Sequence, residues 1–310
     1  MSLLVFGTIG IDTVHTPGGQ HRDNILGGSC TYFAAAASFF TPVRLVAAVG
    51  EDFPDEFRAV LKQFEAIDLA GLEVRKGSKT FRWGGKYLDN MDHRESLFTE
   101  LNVLEEAPPP IPAAYRDSAL VFLANAHPGR QALVLDSTPK RRLVVADTMD
   151  LWINIAKDDL LALLKRVDGL VLNYDEAELL TGHRNTVAAG RHMLDLGPRF
   201  VVIKKGEHGC LLIHRDGIAA LPAYPTERVV DPTGAGDTFA GGLMGRLAQL
   251  HAQDPKRELA SFESVREGLV AGTIAASFNI EKFSLERLVE ISADDIAQRA
   301  REFAAMLRVG

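Results

Sequence analysis

Gly169-Leu-Val-Leu-Asn173 and Phe200-Val-Val-Ile-Lys204 bracket two helical patterns, Asp175–Thr181 and Val187–Leu196, and this stretch decides the fold class. The runs at either end are short, nearly continuous and rich in apolar residues, as parallel strands covered on both faces require. A parallel return needs a crossover, and the intervening helical pattern supplies it. Similar runs occur upstream at Leu3–Ile9, Arg44–Val49, Ala119–Ala124 and Arg142–Ala146. Helical patterns over Thr31–Phe40, Asp55–Glu65 and Lys157–Arg166 alternate with them. Such alternation predicts a doubly wound α/β sheet built from βαβ units.

Two regions interrupt the alternation. Glu73 to Leu104 includes Lys79-Thr-Phe-Arg-Trp-Gly-Gly-Lys-Tyr87 and has no helical period. It reads as a small antiparallel excursion, a lid, to which the polar residues before Leu26 add a second piece. Ala107-Pro-Pro-Pro-Ile-Pro112 then marks a loop back to the main sheet. Cys210–Ile213 and Ile218–Leu221, joined through Arg215-Asp-Gly217, read as a hairpin at the sheet edge. The remainder is mainly helical, over Ala235–His251, Ser261–Asn279 and Asp294–Leu307. The expected organisation is one domain over residues 1–310, with lid insertions near 13–25 and 73–105.

Composition narrows the function. The 310 residues carry 34 Lys+Arg against 41 Asp+Glu, a net charge of −7. That balance argues against a protein-wide footprint for nucleic acid or an anionic membrane. Two cysteines, Cys30 and Cys210, make neither a disulfide framework nor a cysteine-based zinc site, and free thiols point to the cytoplasm. MSLLVFGTIG at the start lacks a basic region before its apolar run and reads as a first strand, not a leader. There is no GxxxxGK[ST], no HExxH, and Gly7-Thr-Ile-Gly10 lacks the third glycine of a dinucleotide fingerprint.

The chemistry concentrates in Val230-Asp-Pro-Thr-Gly-Ala-Gly-Asp-Thr-Phe-Ala-Gly-Gly242. Apolar residues at Phe239, Leu243, Leu247 and Leu250 start a helix near Gly234. Small residues at Gly234, Ala235 and Gly236 leave first-turn N–H groups open at the positive end of the helix dipole, a cradle for an anion. Asp237 at its edge is placed to take a hydroxyl proton. A cradle for a transferring phosphoryl group beside such a carboxylate is a minimal kinase centre. The same residues also have a structural reading, with Asp231 or Thr233 capping the helix and the glycines serving close packing.

Taken together, these residues resemble the ribokinase/pfkB family of carbohydrate and nucleoside kinases over nearly the whole chain. The resemblance implies a three-layer α/β/α, Rossmann-like sheet with a small β-sheet lid. It implies that Asp237 is the general base and that the backbone of Gly234, Ala235 and Gly236 is the anion hole. Gly7-Thr-Ile-Gly-Ile-Asp12 is similar to the family's N-terminal glycine and sugar-binding Asp, and Gly27-Gly28 to its substrate-facing glycines. Asn173-Tyr-Asp-Glu176 resembles the N-x-x-E motif that orders Mg²⁺ and phosphates, with Glu176 acting mainly through water. Lys204-Lys-Gly-Glu-His-Gly209 is similar to the turn under the nucleotide, which brings in Lys204, Gly206 and Gly209 beside Thr233, and Gly272 marks the adenine region. Asn125 and Asp147 end strands on the expected ligand side. Asp231 lies where the family binds a monovalent cation, K⁺.

Several of these positions keep a second reading. Asp12 suits a cap on the loop after the first strand, Glu176 a dipole partner for its helix, and Lys204 and Lys205 a solvated edge. Arg82, Trp83, Lys86 and Tyr87 suit an anionic or aromatic substrate, while Trp83 and Tyr87, at period two, equally suit sheet packing and a lid-to-lid homodimer. Where the family carries a substrate-contacting Asn, this chain has Tyr32. The expected activity is ATP-dependent phosphorylation of a hydroxyl or hydroxymethyl group of a sugar or nucleoside, with no nucleic-acid or membrane partner. The alternative is a catalytically silent ligand-binding or regulatory protein on the same fold.

Overall fold

The computed structural model describes residues 3–89, 91 and 93–308. Met1, Ser2, Val309 and Gly310, at the ends of the expected domain, and Asn90 and Asp92, inside the 73–105 insertion, lie outside the described residues. Among the described residues, the larger of two sheets has nine strands. In chain order its parallel members are β1 (Leu3–Phe6), β4 (Val43–Gly50), β5 (Ile67–Arg75), β8 (Leu120–Leu123), β9 (Leu143–Asp147), β10 (Gly169–Asn173) and β11 (Phe200–Lys204). An antiparallel hairpin, β12 (Cys210–His214) and β13 (Gly217–Leu221), finishes one edge, as the turn at Arg215–Gly217 predicts. The spatial order is β13-β12-β11-β10-β9-β8-β1-β4-β5.

The helices are α1 (Ser29–Ser38), α2 (Asp55–Lys62), α3 (Pro128–Ser137), α4 (Asp150–Ile155), α5 (Lys157–Leu164), α6 (Tyr174–Thr181), α7 (Thr186–Asp195), α8 (Ala235–Gln253), α9 (Phe262–Asn279), α10 (Glu286–Glu290) and α11 (Ala293–Met306). Strand side chains alternate between two cores. Leu3, Val5, Leu120, Phe122 and Val171 meet α1, α2 and α8 to α11 on one face. Leu4, Phe6, Val121, Leu123 and Leu170 meet α3 to α7 on the other. This is the three-layer sheet that the alternating sequence predicts. Among the described residues no helix is long and apolar enough to cross a membrane.

The second sheet has four strands in the order β3-β2-β6-β7: β2 (Gly10–His15), β3 (His21–Gly27), β6 (Phe81–Tyr87) and β7 (Arg94–Glu100). The expected strand Leu3–Ile9 is therefore corrected. It ends at Phe6, and the chain crosses to the small sheet at Gly10. The expected excursion from Glu73 is corrected as well, because residues 73–75 finish β5 at the edge of the large sheet. As an edge strand, β5 alternates buried and exposed residues from Ile67 to Gly71, a pattern that resembles an antiparallel strand. Helices α3 and α4 were not expected; Pro128 and Gly129 at the start of α3 obscure its period.

Helix α8 runs between α1 and α9, and two adjacent glycines admit both. A Cβ on Gly241 would lie 2.3 Å from the Phe33 carbonyl oxygen of α1, and one on Gly242 2.5 Å from the Ala271 carbonyl oxygen of α9. These are backbone atoms, which cannot step aside. The close-packing reading of Gly241-Gly242 thus holds, and through it the starts of α1 and α8 face each other. Gly241→Ala is expected to destabilise the protein by about 1–3 kcal/mol, the usual cost of overpacking. In urea the midpoint should fall with an unchanged m-value; an unchanged midpoint would show that the two helices can separate freely.

Candidate active site

Chain order reverses beside β1: β4 and β5 lie to one side, β8 to the other. Ligands of open α/β sheets bind at such a switch point, outside the carboxyl ends of the strands. Here the end of β1 is clamped to the start of α1. Thr8 N–H donates to Ser29 Oγ (3.2 Å), Ser29 N–H to Thr8 Oγ1 (3.1 Å), and Cys30 N–H to the Thr8 carbonyl (2.9 Å). Gly28, with φ at 94°, turns the chain into α1, while Gly27 makes room for Asp12, whose Oδ2 lies 1.9 Å from where a Cβ would stand. Asp12 is buried on β2, and its Oδ1 has no hydrogen-bond partner among the described residues. Burial first, then the charges of Asp231 and Asp237, push its carboxyl up to about 8.

At the start of α8, Gly234 adopts the left-handed conformation with φ at 75°. The ring of Tyr32 lies against it, 2.3–2.4 Å from an ideal Cβ, so no other residue fits there. The Tyr32 hydroxyl is buried without a partner among the described residues. Burial and then the charges of Asp231 and Asp12 hold the phenol protonated, far above its ordinary range. Of the three amides the sequence offers for an anion, Ala235 N–H already donates to the Pro232 carbonyl (3.1 Å). Gly236 faces the Lys204 ammonium, which would stand 2.9 Å from a Cβ there. Lys204 also reaches Asp147 at 3.5 Å, so it is no solvated edge.

Around Lys204 stand Asp147, Glu176 and Asp237. Its own burial disfavours the ammonium, yet these three carboxylates together hold it above its ordinary value. Asp147 is raised by burial, against the pull of Lys204. Glu176 and Asp237 are each pushed up to about 7, by burial and then by Asp147, with Lys204 opposing. Arg94 of β7 also opposes the rise at both.

The N-x-x-E segment forms a reciprocal capping box on α6. Asn173 Oδ1 accepts the Glu176 N–H (2.8 Å) and Glu176 Oε2 accepts the Asn173 N–H (2.7 Å). One carboxylate oxygen of Glu176 is left for other work. Among the described residues no cluster of three His, Cys, Asp or Glu side chains could hold a metal directly.

Other expected site residues are placed less openly. Thr233, expected beside the nucleotide, has its groups engaged within the protein. Its N–H donates to Asp231 Oδ1 (2.9 Å), its hydroxyl to Tyr87 of the small sheet (3.1 Å), and its carbonyl accepts from Asn279 (2.8 Å). Asn125, expected at the substrate, accepts from Trp152 Nε1 (2.8 Å) and donates to Met149 Sδ (2.9 Å). Gly272, expected in the adenine region, is a packing glycine, with the Phe239 carbonyl oxygen 2.7 Å from its ideal Cβ. Gly209, with φ at 81°, packs on the end of β13, and Gly206 opens the turn after β11. Asp231 caps no helix; among the described residues its Oδ2 is buried without a partner, as is Asn279 Oδ1. Arg94 and Asn279 belong to no motif, and only the fold brings them here.

Comparison with known proteins gives the family. The model of the pfkB family carbohydrate kinases matches residues 133–290. A cytidine kinase from Thermococcus kodakarensis is 31% identical over 251 residues, covering 79% of this chain and 87% of that protein. Among solved structures, ribokinase from Giardia lamblia superposes with a TM-score of 0.79 at 18% identity, covering 97% of this chain and 99% of its own. A nucleoside kinase from Burkholderia thailandensis, in complex with inosine, gives 0.76 at 17% identity over 98% and 99%. By these matches the chain belongs to the pfkB family of carbohydrate kinases and is an ATP-dependent kinase of a sugar or nucleoside.

Proposed function

We propose that the acceptor is a nucleoside, and that Asp237 takes the proton of the hydroxyl that is phosphorylated. The observation that carries the assignment of roles is the meeting of Asp237, Lys204 and the first turn of α8. The acceptor class rests on the cytidine kinase, which matches most of the chain. Asp12 Oδ1 and the Tyr32 hydroxyl, both buried and unpartnered, are an acceptor and a donor waiting for a polyhydroxyl ligand such as a ribose.

In the transfer, the acceptor oxygen forms a bond to the γ-phosphorus as the bond from that phosphorus to the β-phosphate oxygen breaks. The acceptor proton goes to Asp237 and ADP leaves. The transition state is loose, so the base contributes modestly and electrostatic stabilisation contributes more. Lys204 and the Gly234 and Gly236 amides at the start of α8 take up the charge on the phosphoryl oxygens. Glu176 and Asn173 would hold Mg²⁺ mainly through water, because the capping box leaves Glu176 a single free oxygen and Mg²⁺ dehydrates reluctantly. That ion supplies charge neutralisation on the polyphosphate. Asp231 Oδ2 and Asn279 Oδ1, two buried oxygens on either side of Thr233 with no donor, suit a K⁺ ion.

Four measurements test this reading. ATP consumption should be highest with a nucleoside in a panel of cytidine, other nucleosides, ribose and fructose; turnover confined to free sugars would overturn the acceptor class. Asp237→Asn should lower kcat by about 10²–10⁴-fold while ATP affinity stays within about threefold. Because Asp237 must be ionised to accept a proton, kcat/KM should fall about tenfold per pH unit below about 7 in the native enzyme. The fourth concerns stability. Asp12 binds its proton more tightly folded than unfolded, so its contribution is full below pH 4 and is lost as pH rises through about 8. Asp12→Asn should therefore raise Tm at pH 8 and leave it nearly unchanged at pH 4, while acceptor binding is lost. Equal shifts at both pH values would contradict the assigned ionisation.

A further inference from the structure

A small third core joins the two sheets. Val14 of β2, Tyr87 of β6 and Phe283, just beyond α9, are buried together, and Ile25, Trp83 and Val230 pack against them. From this core Tyr87 reaches into the turn before α8. Its phenol oxygen accepts the Thr233 hydroxyl at 3.1 Å, across 146 residues of sequence. The other polar groups of Thr233 are held by Asp231 and Asn279, so Tyr87 is its tie to the small sheet. The next residue is Gly234, which sets the left-handed start of α8, and Asp237 lies in the first turn that follows. On its other side, β6 runs parallel to β2, with Trp83 the register partner of Asp12. The carboxylate assigned to the acceptor and the phenol that holds the α8 turn therefore stand on neighbouring strands.

We propose that Tyr87 is a positioning residue, and that its hydrogen bond with Thr233 makes the shape of the phosphate cradle depend on an acceptor seated against the small sheet. The inference rests on the site reading above, with the acceptor at Asp12 and the γ-phosphoryl group at the start of α8. An acceptor bound to Asp12 fixes β2, and β6 is paired with β2 from Gly10 to His15. Tyr87 then holds Thr233, and with it Gly234, where the amides and Asp237 face the same phosphoryl group. When the small sheet shifts, the Thr233 hydroxyl loses this partner and the turn loosens. A centre completed only with both substrates in place does not hand the phosphoryl group to water. Tyr87 acts through Thr233 and exchanges no proton, and the bonds made and broken are those of the transfer already described. Because such coupling is reciprocal, a bound γ-phosphate must also tighten the acceptor.

The test measures the affinity of the Mg²⁺ complexes of ADP and of β,γ-imido-ATP, which carries the γ-group but does not transfer it. Each is measured with and without saturating acceptor, taken as whichever nucleoside or sugar the native enzyme phosphorylates. In the native enzyme the acceptor is expected to tighten the imido analogue about five- to tenfold and ADP less than about twofold. Tyr87→Phe keeps the ring in its core and removes only the oxygen. It should bring the tightening of the analogue below about twofold and lower kcat about tenfold, with the acceptor KM within about threefold. Thr233→Val should do the same, and the double variant should lose no more than either alone. Thr233→Ser, which keeps the hydroxyl, should retain the native coupling. Tyr115→Phe is the control: it removes another phenol, whose hydroxyl donates to the Asp68 carbonyl (3.1 Å), and should lower Tm without changing the coupling. Native coupling in Tyr87→Phe, its absence in the native enzyme, or additive losses in the double variant would overturn the proposal. Failure of the earlier reading shows separately. Turnover confined to a sugar removes the nucleoside, and native kcat in Asp237→Asn removes the base, while the coupling is still read with the acceptor that is turned over.

Discussion

Everything at this site follows from burying carboxylates together. Asp12, Asp147, Glu176, Asp231 and Asp237 are drawn from four different strands and helices and the loop before α8, and Lys204 alone cannot neutralise them. Removing charge from water is costly, and the cost appears here as raised pKa values: about 8 for Asp12, about 7 for Asp237 and Glu176, about 6 for Asp231. A carboxylate that titrates near neutrality, as the proposed base requires, is the useful consequence. The rest of the structure has to hold these groups where none would settle by itself, and stability is given up for that purpose.

The scaffold does so through backbone contacts that side chains would prevent. Gly241 and Gly242 let α8 lie against α1 and α9 at once, which sets the start of α8 opposite the start of α1. That arrangement puts the Tyr32 ring on Gly234 and turns two orphaned groups, its hydroxyl and Asp12 Oδ1, toward one another's surroundings. The Thr8–Ser29 exchange of hydrogen bonds ties the same corner to β1 at the switch point. The small sheet joins through Tyr87 and Thr233, so its position and that of the α8 turn are coupled.

Much of this was legible in the residues. Phe200–Lys204 is found as a strand with the bounds its apolar run predicts, and the edge hairpin falls where Arg215-Asp-Gly217 places it. The Asp231–Asp237 segment lies at the start of a helix as its small residues require. What misled was local ambiguity. Leu3–Ile9 is one apolar run divided between two sheets, and the period alone cannot show where a chain changes sheet. β5 reads as antiparallel because an edge strand has one solvated face, whatever the direction of its neighbour. Asn125, Thr233 and Gly272 have the right residue types at expected positions, but their partners are elsewhere in the chain and engage them within the protein.

The residues by themselves determined the fold class, the chemistry-bearing segment and the kind of reaction, because each depends on short-range patterns: apolar periodicity, small residues at a helix start, a carboxylate beside them. The tertiary structure decided which of those residues are free to act and what accompanies them. Arg94 and Asn279 enter the site through strand register and helix packing over long sequence separations, and the raised carboxyls arise from burial among distant neighbours. Neither register nor burial is encoded at one position. Both are set by how the whole chain packs, which is why the reaction could be read along the sequence and the arrangement that tunes it could not.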